Sequence, residues 1–309
     1  DFNKKAHNLY LKGVSMPFTV AIIEDFREST KYTFGIMDPV IILPDTTYYE
    51  NKLARALIMS IFKKMAKKVL RHSPLKRKEQ KLYLADTILF DDKIRRLALS
   101  QAEMADYAKL YNPLSLDELK AKLSPFDLSE FLSGLYGDAL PLRYATSNPR
   151  LTEGFAALLT EESFVQYKHW AYVQTMINLS RCLSVELSNL ANSYMHKLVG
   201  IKKAPEITKQ AYRIASEAFG APVGVYYGRT YFGEEAKRDV TEMVKQIIET
   251  YKRRMSHNSF LCEETKKNAI AKLSAIKIKM GYPDGYDSFF DTLTLDGADS
   301  FYDAMTKIK

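Results

Sequence analysis

The chain has 309 residues, 46% hydrophobic and 27% charged, a balance that excludes a disordered chain. Two cysteines, Cys182 and Cys262, are too few for a disulfide framework and point to a reducing compartment. The formal net charge of +8 attracts anions without choosing among acidic peptide, nucleic acid and a membrane surface.

No apolar run reaches the roughly 20 residues needed to span a bilayer. The N-terminus lacks an initiator Met and a signal-type segment, so the sequence reads as a piece of something longer. Twenty Tyr and 16 Phe against 13 Gly favour aromatic packing over the turn-rich pattern of β-sandwiches, and the fold class expected is mainly α.

Phe18 to Ile23 and Tyr32 to Met37, rich in aromatic and β-branched residues, predict a short β-hairpin near the N-terminus. Asp38-Pro39 and Leu43-Pro44-Asp45 then break the chain. Leu53, Leu57, Ile58, Ile61, Phe62, Met65 and Val69 recur every three or four residues and predict a helix from Asn51 to Arg71, ended by His72-Ser73-Pro74. A second pattern carries Leu82, Leu89, Phe90, Ile94, Leu97 and Tyr107 up to Asn112-Pro113. Ser115-Leu116-Asp117-Glu118 starts a further helix, Asp127 to Leu135 is another, and Pro141 to Pro149 reads as a connector.

The longest pattern runs uninterrupted from Thr160 to Leu198, with Phe164, Tyr167, Trp170, Ala171, Met176, Leu179, Leu183, Leu187, Leu190 and Tyr194 on its buried stripe. Gly200 closes it. Helices follow over Glu206 to Phe219, Gly233 to Met255 and Glu263 to Ile276, and the tail after Gly281-Tyr282-Pro283-Asp284-Gly285 should be less regular. The domain expectation is an extended or hairpin segment over 1–50, a helical lobe over 51–281 and a connector over 282–309.

Candidate chemistry is sparse. His7, His72, His169, His196 and His257 include no H-E-x-x-H pair, the spacing that sets two zinc ligands on one helical face. Cys182 falls within an apolar helical stripe and neither thiol has an identifiable base, so both read as buried and inert. Gly220, Gly224, Gly228 and Gly233 lack dinucleotide-fingerprint spacing and read as a helix-to-helix junction. Asp91-Asp92 and Glu234-Glu235 read as solvated helical charge, and Lys63, Lys64, Lys67, Lys68, Arg71, Lys76, Arg77 and Lys78 as a solvated face. On this ground alone there are no catalytic or metal-ligating residues to assign, and the substrate-binding residues are unknown.

Five ordered motifs carry a resemblance. Leu43-Pro44-Asp45 with Tyr48-Tyr49 comes first, then Tyr111-Asn112-Pro113-Leu114-Ser115-Leu116-Asp117-Glu118-Leu119. Tyr226 to Lys237 with Val240, Met243, Val244 and Ile247 is next, followed by Phe260 to Lys272 and by Met280-Gly281-Tyr282-Pro283-Asp284. Together they resemble the N-terminal part of the neprilysin family of zinc endopeptidases, with departures at Val40-Ile41-Ile42 and at Phe260, where the family usually has Trp.

The resemblance implies the cap lobe of a two-lobed helical enzyme that encloses its active-site chamber and restricts substrates to oligopeptides. The zinc motif and third glutamate ligand lie beyond the Gly-Tyr-Pro-Asp segment in that family, so it carries no catalytic or metal residue onto this chain. It implies zinc in a parent enzyme, bound by a C-terminal catalytic lobe, and an N-terminal region inactive by itself. The partners expected are oligopeptides and that lobe, with no nucleic acid and no membrane segment. Unpaired cysteines point to the bacterial endopeptidase O type in the cytoplasm, with a secreted or surface-attached form as the alternative. The rival function is a free-standing helical module that binds peptide or protein without cutting it.

Overall fold

In a computed structural model the chain is mainly helical, and the structure describes residues 2–297 and 299–308. In chain order the elements are α1 (Phe2–Leu11), β1 (Thr19–Glu24), β2 (Tyr32–Met37), α2 (Thr47–Glu50), α3 (Lys52–Leu70), α4 (Arg77–Ile94), α5 (Gln101–Met104) and β3 (Asn112–Leu114). There follow α6 (Leu116–Leu123), α7 (Leu128–Tyr136), β4 (Tyr144–Thr146), α8 (Pro149–Gly154), α9 (Glu161–Leu179) and α10 (Val185–Leu198). The remainder is α11 (Ile207–Ala218), α12 (Gly220–Tyr227), α13 (Gly233–Ser256), α14 (Glu263–Ser274), α15 (Phe289–Thr292) and α16 (Phe301–Ile308). Packing separates two units: one holds residues 2–204 and 300–306, the other the described residues of 205–299 with 307–308. The boundary at 204/205 lies inside the 51–281 segment.

The first unit is built on a four-stranded sheet of order β1-β2-β4-β3. The expected hairpin is present, with Thr19 opposite Met37 and Glu24 opposite Tyr32. The sheet then extends through residues read as breaks or connector: β4 runs parallel to β2 and β3 antiparallel to β4. Three-residue strands give too short a period to register in sequence, and Pro113 is tolerated because β3 is an edge strand, where one missing donor costs no ladder bond.

Two cores fill this unit. Phe18, Phe34, Ile36, Phe90, Phe126, Phe131, Phe155, Tyr167 and Trp170 fill one, and edge-on and tilted ring pairs, such as Phe18–Phe126 at 5.3 Å and Phe90–Trp170 at 5.5 Å, pack it. Phe62, Met65, Val69, Leu70, Val173, Ile177 and Tyr194 fill the other, between α3, α9 and α10. Two helical expectations need correction. The Thr160 to Leu198 helix is broken at 180–184, because the Ser184 side chain accepts from Leu187 N and so caps a new helix, leaving Leu183 exposed in the break. The pattern from Leu82 to Tyr107 is also divided: α4 ends at Ile94, and Ser100 with Glu103 forms a capping box that starts α5. The buried face of α4 is Leu84, Thr87, Phe90, Asp91 and Ile94, while Leu82 and Leu89 are half exposed.

In the second unit the glycine-dense stretch is a junction, as expected: α12 passes into a π-turn over Gly228–Phe232 before α13. The Gly-Tyr-Pro-Asp segment clamps this junction. The Tyr282 hydroxyl donates to Glu234, Lys237 Nζ lies 4.5 Å from the Tyr282 ring centre and 2.6 Å from Asp284, and Arg229 donates to the Asp284 carbonyl at 2.7 Å. Glu234 thus serves the clamp from an exposed position, and Glu235 beside it is exposed, as the solvated reading of the pair expects. A Cβ on Gly228 would meet Tyr282 Cγ at 2.2 Å, so only glycine admits the ring. Gly228→Ala is expected to destabilise this unit by about 1–3 kcal/mol through overpacking, read as a lower denaturation midpoint, whereas Gly224→Ala, inside α12 where a Cβ meets nothing within 4 Å, should stabilise it by about 0.4–1 kcal/mol, read as a higher midpoint.

Candidate functional site

A cavity in the first unit lies behind the strap of residues 38–45, which joins β2 to α2. It encloses about 510 Å³ and is lined by the strap together with Phe62, Met65, Ile177, Ala191, Tyr194 and Met195. The two prolines, Pro39 and Pro44, keep the strap out of a helix, and its polar backbone must then find partners elsewhere. Asp91 and the hydroxyls of Tyr49 and Tyr194 supply them at its middle, while the strap's own Asp38 and Asp45 tie its two ends to other segments.

Asp91, fully buried on α4, accepts from Ile42 N at 2.8 Å and from the Tyr49 hydroxyl at 2.6 Å. The same hydroxyl accepts from Leu43 N at 3.1 Å, and Tyr194 donates to the Ile42 carbonyl at 2.7 Å. Asp38 takes Leu99 N at 3.1 Å and Asn148 Nδ2 at 2.5 Å. Asp45 takes Gln101 N at 2.6 Å and Thr47 N at 2.9 Å. Both ends and the middle of the strap are therefore fixed to α2, α4 and the residues around α5.

The electrostatics divide the three carboxylates. Burial pushes Asp91 up to about 6, against the opposing effect of its hydrogen bonds from Tyr49 and Ile42. Asp38 is also raised to about 6, by burial that outweighs the hydrogen bonds from Asn148 and Leu99. Burial also pushes Asp45 upward, but hydrogen bonds from Thr47, Gln101 and Thr46 outweigh it and hold the group below the usual carboxylate range. Tyr49 is raised by burial and by the neighbouring Asp91 charge, so it stays a hydroxyl donor.

The reading of Asp91-Asp92 as solvated charge is thus wrong for Asp91 and incomplete for Asp92. Asp92 binds Arg55 at 3.0 Å, Arg95 at 2.8 Å and Arg96 at 2.9 Å, and the guanidinium groups of Arg55 and Arg95 lie 5.7 and 5.1 Å from the Tyr49 ring centre. The signal was available: residues 84, 87, 91 and 94 fall on one helical face, so an acid at 91 sits where the core is. Nothing in the local sequence marks Asp38 or Asn148 as partners, because 110 residues separate them.

The histidines do not converge. His169 Nδ1 lies 2.5 Å from Asp86, with its ring stacked at 3.8 Å on Tyr83; His7 lies against Gly134, and His257 shares its Nδ1 with Arg253 O. Cys262 is exposed, contrary to the buried reading, since it precedes α14 and caps no core; a hydrogen bond from the Thr265 hydroxyl lowers its thiol from the ordinary value. Cys182 is half-buried. Among the described residues no three His, Cys, Asp or Glu side chains are grouped to hold a metal ion. The cavity instead offers largely apolar walls, with Asp38, Asp45, Gln174, Asn178 and Arg181 as its polar lining.

The sequence model of Peptidase family M13 matches residues 1–283. The chain belongs to that family. A neutral endopeptidase of Lactobacillus helveticus is 32% identical over 295 residues, covering 96% of this chain and 45% of that protein. The crystal structure of PepO from Lactobacillus rhamnosis superposes with a TM-score of 0.92 at 27% identity, covering 99% of this chain and 49% of the other. The zinc metalloprotease ZMP1 of Mycobacterium tuberculosis shares the fold, with a TM-score of 0.83 at 20% identity, over 99% of this chain and 48% of that one. The neprilysin resemblance of the five motifs is thereby borne out. The chain spans about half the length of these relatives and corresponds to the N-terminal helical region of M13 peptidases.

Two outcomes are expected at the strap. Tyr49→Phe removes the donor to buried Asp91 and the acceptor of Leu43 N, and should lower stability by about 1–3 kcal/mol in chemical denaturation. Asp38, raised to about 6 in the folded chain from an ordinary 3.8, binds more protons folded than unfolded, so its contribution falls as pH rises from about 4 to about 6. The stability of the unaltered protein relative to Asp38→Asn should therefore decline across that window and level off above it; a difference that grows with pH would contradict the burial argument.

Proposed function

We propose that this chain is the cap-forming N-terminal region of a zinc endopeptidase that hydrolyses oligopeptides. The observation that carries the reading is the M13 match over residues 1–283 in a chain that spans about half of each relative. The names neutral endopeptidase and zinc metalloprotease, borne by the relatives, supply the reaction class. In this reading the metal belongs to the other half of the parent protein, which is also the principal partner of this chain.

The cap limits substrate size. A wall of packed helices around a chamber admits a flexible oligopeptide and turns away a folded protein, whose backbone cannot reach the reacting groups. The strap cavity suits this role: its apolar walls receive a peptide side chain, and the three carboxylate anchors hold it preformed so that little ordering is needed on binding. We place the parent in the bacterial cytoplasm, a setting compatible with two unpaired thiols, with a secreted or surface-attached form as the alternative.

Quenched fluorescent peptides of graded length, offered to the parent protein and to residues 1–309 alone, test the reading. The parent should cleave short peptides, lose activity to a chelator and leave folded proteins intact, and residues 1–309 should show no turnover. Chelator-sensitive cleavage by residues 1–309, free of contaminating protease, would refute the division of labour.

A further inference from the structure

The charge of the chain is concentrated in one place. Residues 56–85, spanning most of α3, the turn after it and the first half of α4, hold nine Lys and Arg against Glu79 alone, a local net of +8 that equals the formal charge of the whole chain. Glu79 is already engaged: its carboxylate accepts from Lys76 N at 2.6 Å and closes the start of α4. None of the nine cations has an ion-pair partner among the described residues, and all nine are exposed. By contrast Arg55, Arg95 and Arg96 on the same two-helix hairpin are all bound by Asp92.

These charges are not spread over a flat face. Where the end of α3 meets the start of α4, Lys67, Arg71, Arg77 and Lys81 line a cavity of about 550 Å³ together with Gln80, Leu70 and Leu84. Leu70 and Leu84 are buried and belong to the core, so the floor is apolar and fixed while the rim is cationic. Gln80 is held by its hydrogen bond to the Leu75 carbonyl at 2.7 Å, which ties the turn to α4.

We propose that this cavity is a binding site for an acidic peptide segment, one bearing two or three closely spaced Glu or Asp side chains. Three features select that class. Two arginines among the four cations offer planar pairs of donors that match carboxylates. The leucine floor accommodates the methylene stems of glutamates, which a compact inorganic anion lacks. No aromatic side chain lines the cavity, so a nucleic acid would find charge but no stacking surface. The proposal rests on the oligopeptidase reading for its biological sense: the site would hold acidic stretches of a substrate away from the strap cavity and raise the local concentration of acidic peptides.

Fluorescence anisotropy with a labelled octapeptide carrying three glutamates, and with its all-glutamine counterpart, tests the proposal on the purified protein without requiring turnover. The glutamate peptide should bind and the glutamine peptide should not, with affinity falling as salt is raised because the rim is exposed. Arg71→Gln with Arg77→Gln should weaken binding about tenfold or more. Lys63→Gln with Lys78→Gln removes the same charge from the same hairpin outside the cavity, and should change affinity less than threefold. Thermal melts confirm that both variants fold, since all four residues are solvent-exposed. Equal losses in the two variants, binding of the glutamine peptide, or tighter binding of tripolyphosphate or duplex DNA than of the glutamate peptide would overturn the assignment. Cleavage of a neutral peptide by the parent is read separately, so failure of this site and failure of the peptidase reading are distinguishable.

Discussion

Asp91 is the constraint around which the first unit is organised. A carboxylate with no exposed surface loses the hydration of its charge, a loss that burial alone would make prohibitive. It is retained because a hydroxyl and a backbone N–H are brought to it from a different part of the chain, Tyr49 and Ile42. The requirement runs both ways: the strap 38–45 carries two prolines and belongs to no ladder, so its amides need side-chain acceptors, and Asp91 needs donors. Each solves the burial problem of the other, and the result is a fixed wall for the 510 Å³ cavity.

The neighbouring residue shows how one helix position separates two electrostatic regimes. Asp91 faces the core and is raised toward neutrality by burial. Asp92, one residue on and turned toward solvent, gathers three arginines and is lowered by them, even though partial burial acts in the opposite sense. Two of them, Arg55 and Arg95, lie against the Tyr49 ring, so the exposed cluster also braces the buried one. An adjacent pair of acids therefore contains a structural anchor and a surface clamp, a distinction set by the 100° turn between successive helical residues.

The two units have different sources of order. The first carries two aromatic and aliphatic cores joined by α4 and α9. In the second, Val225, Gly228 and Tyr282 are buried while Tyr226, Tyr227, Tyr231, Met243 and Tyr251 remain exposed. Its internal order comes from the Gly-Tyr-Pro-Asp clamp, in which hydrogen bonds, an ion pair and a cation over a ring converge on a glycine that leaves room for them.

By itself the sequence determined whatever depends on neighbours a few residues apart. The 3.6-residue stripes of α3, α9 and α13, the Ser115 and Thr160 caps, the β1–β2 hairpin and the family motifs are all local signals, and they gave the fold class and the family. What only the tertiary structure decided are pairings over long separations: β4 alongside β2, Asp38 with Asn148, Asp91 with Ile42, and the meeting of four cations around a leucine floor. The broken α9–α10 helix belongs here too, because an apolar stripe continued through Leu183 while the Ser184 cap overrode it. The physical reason is common to all of these. A residue's spacing fixes the face it occupies, but the energy of burying its charge or leaving its amide unpaired depends on what the fold brings opposite it.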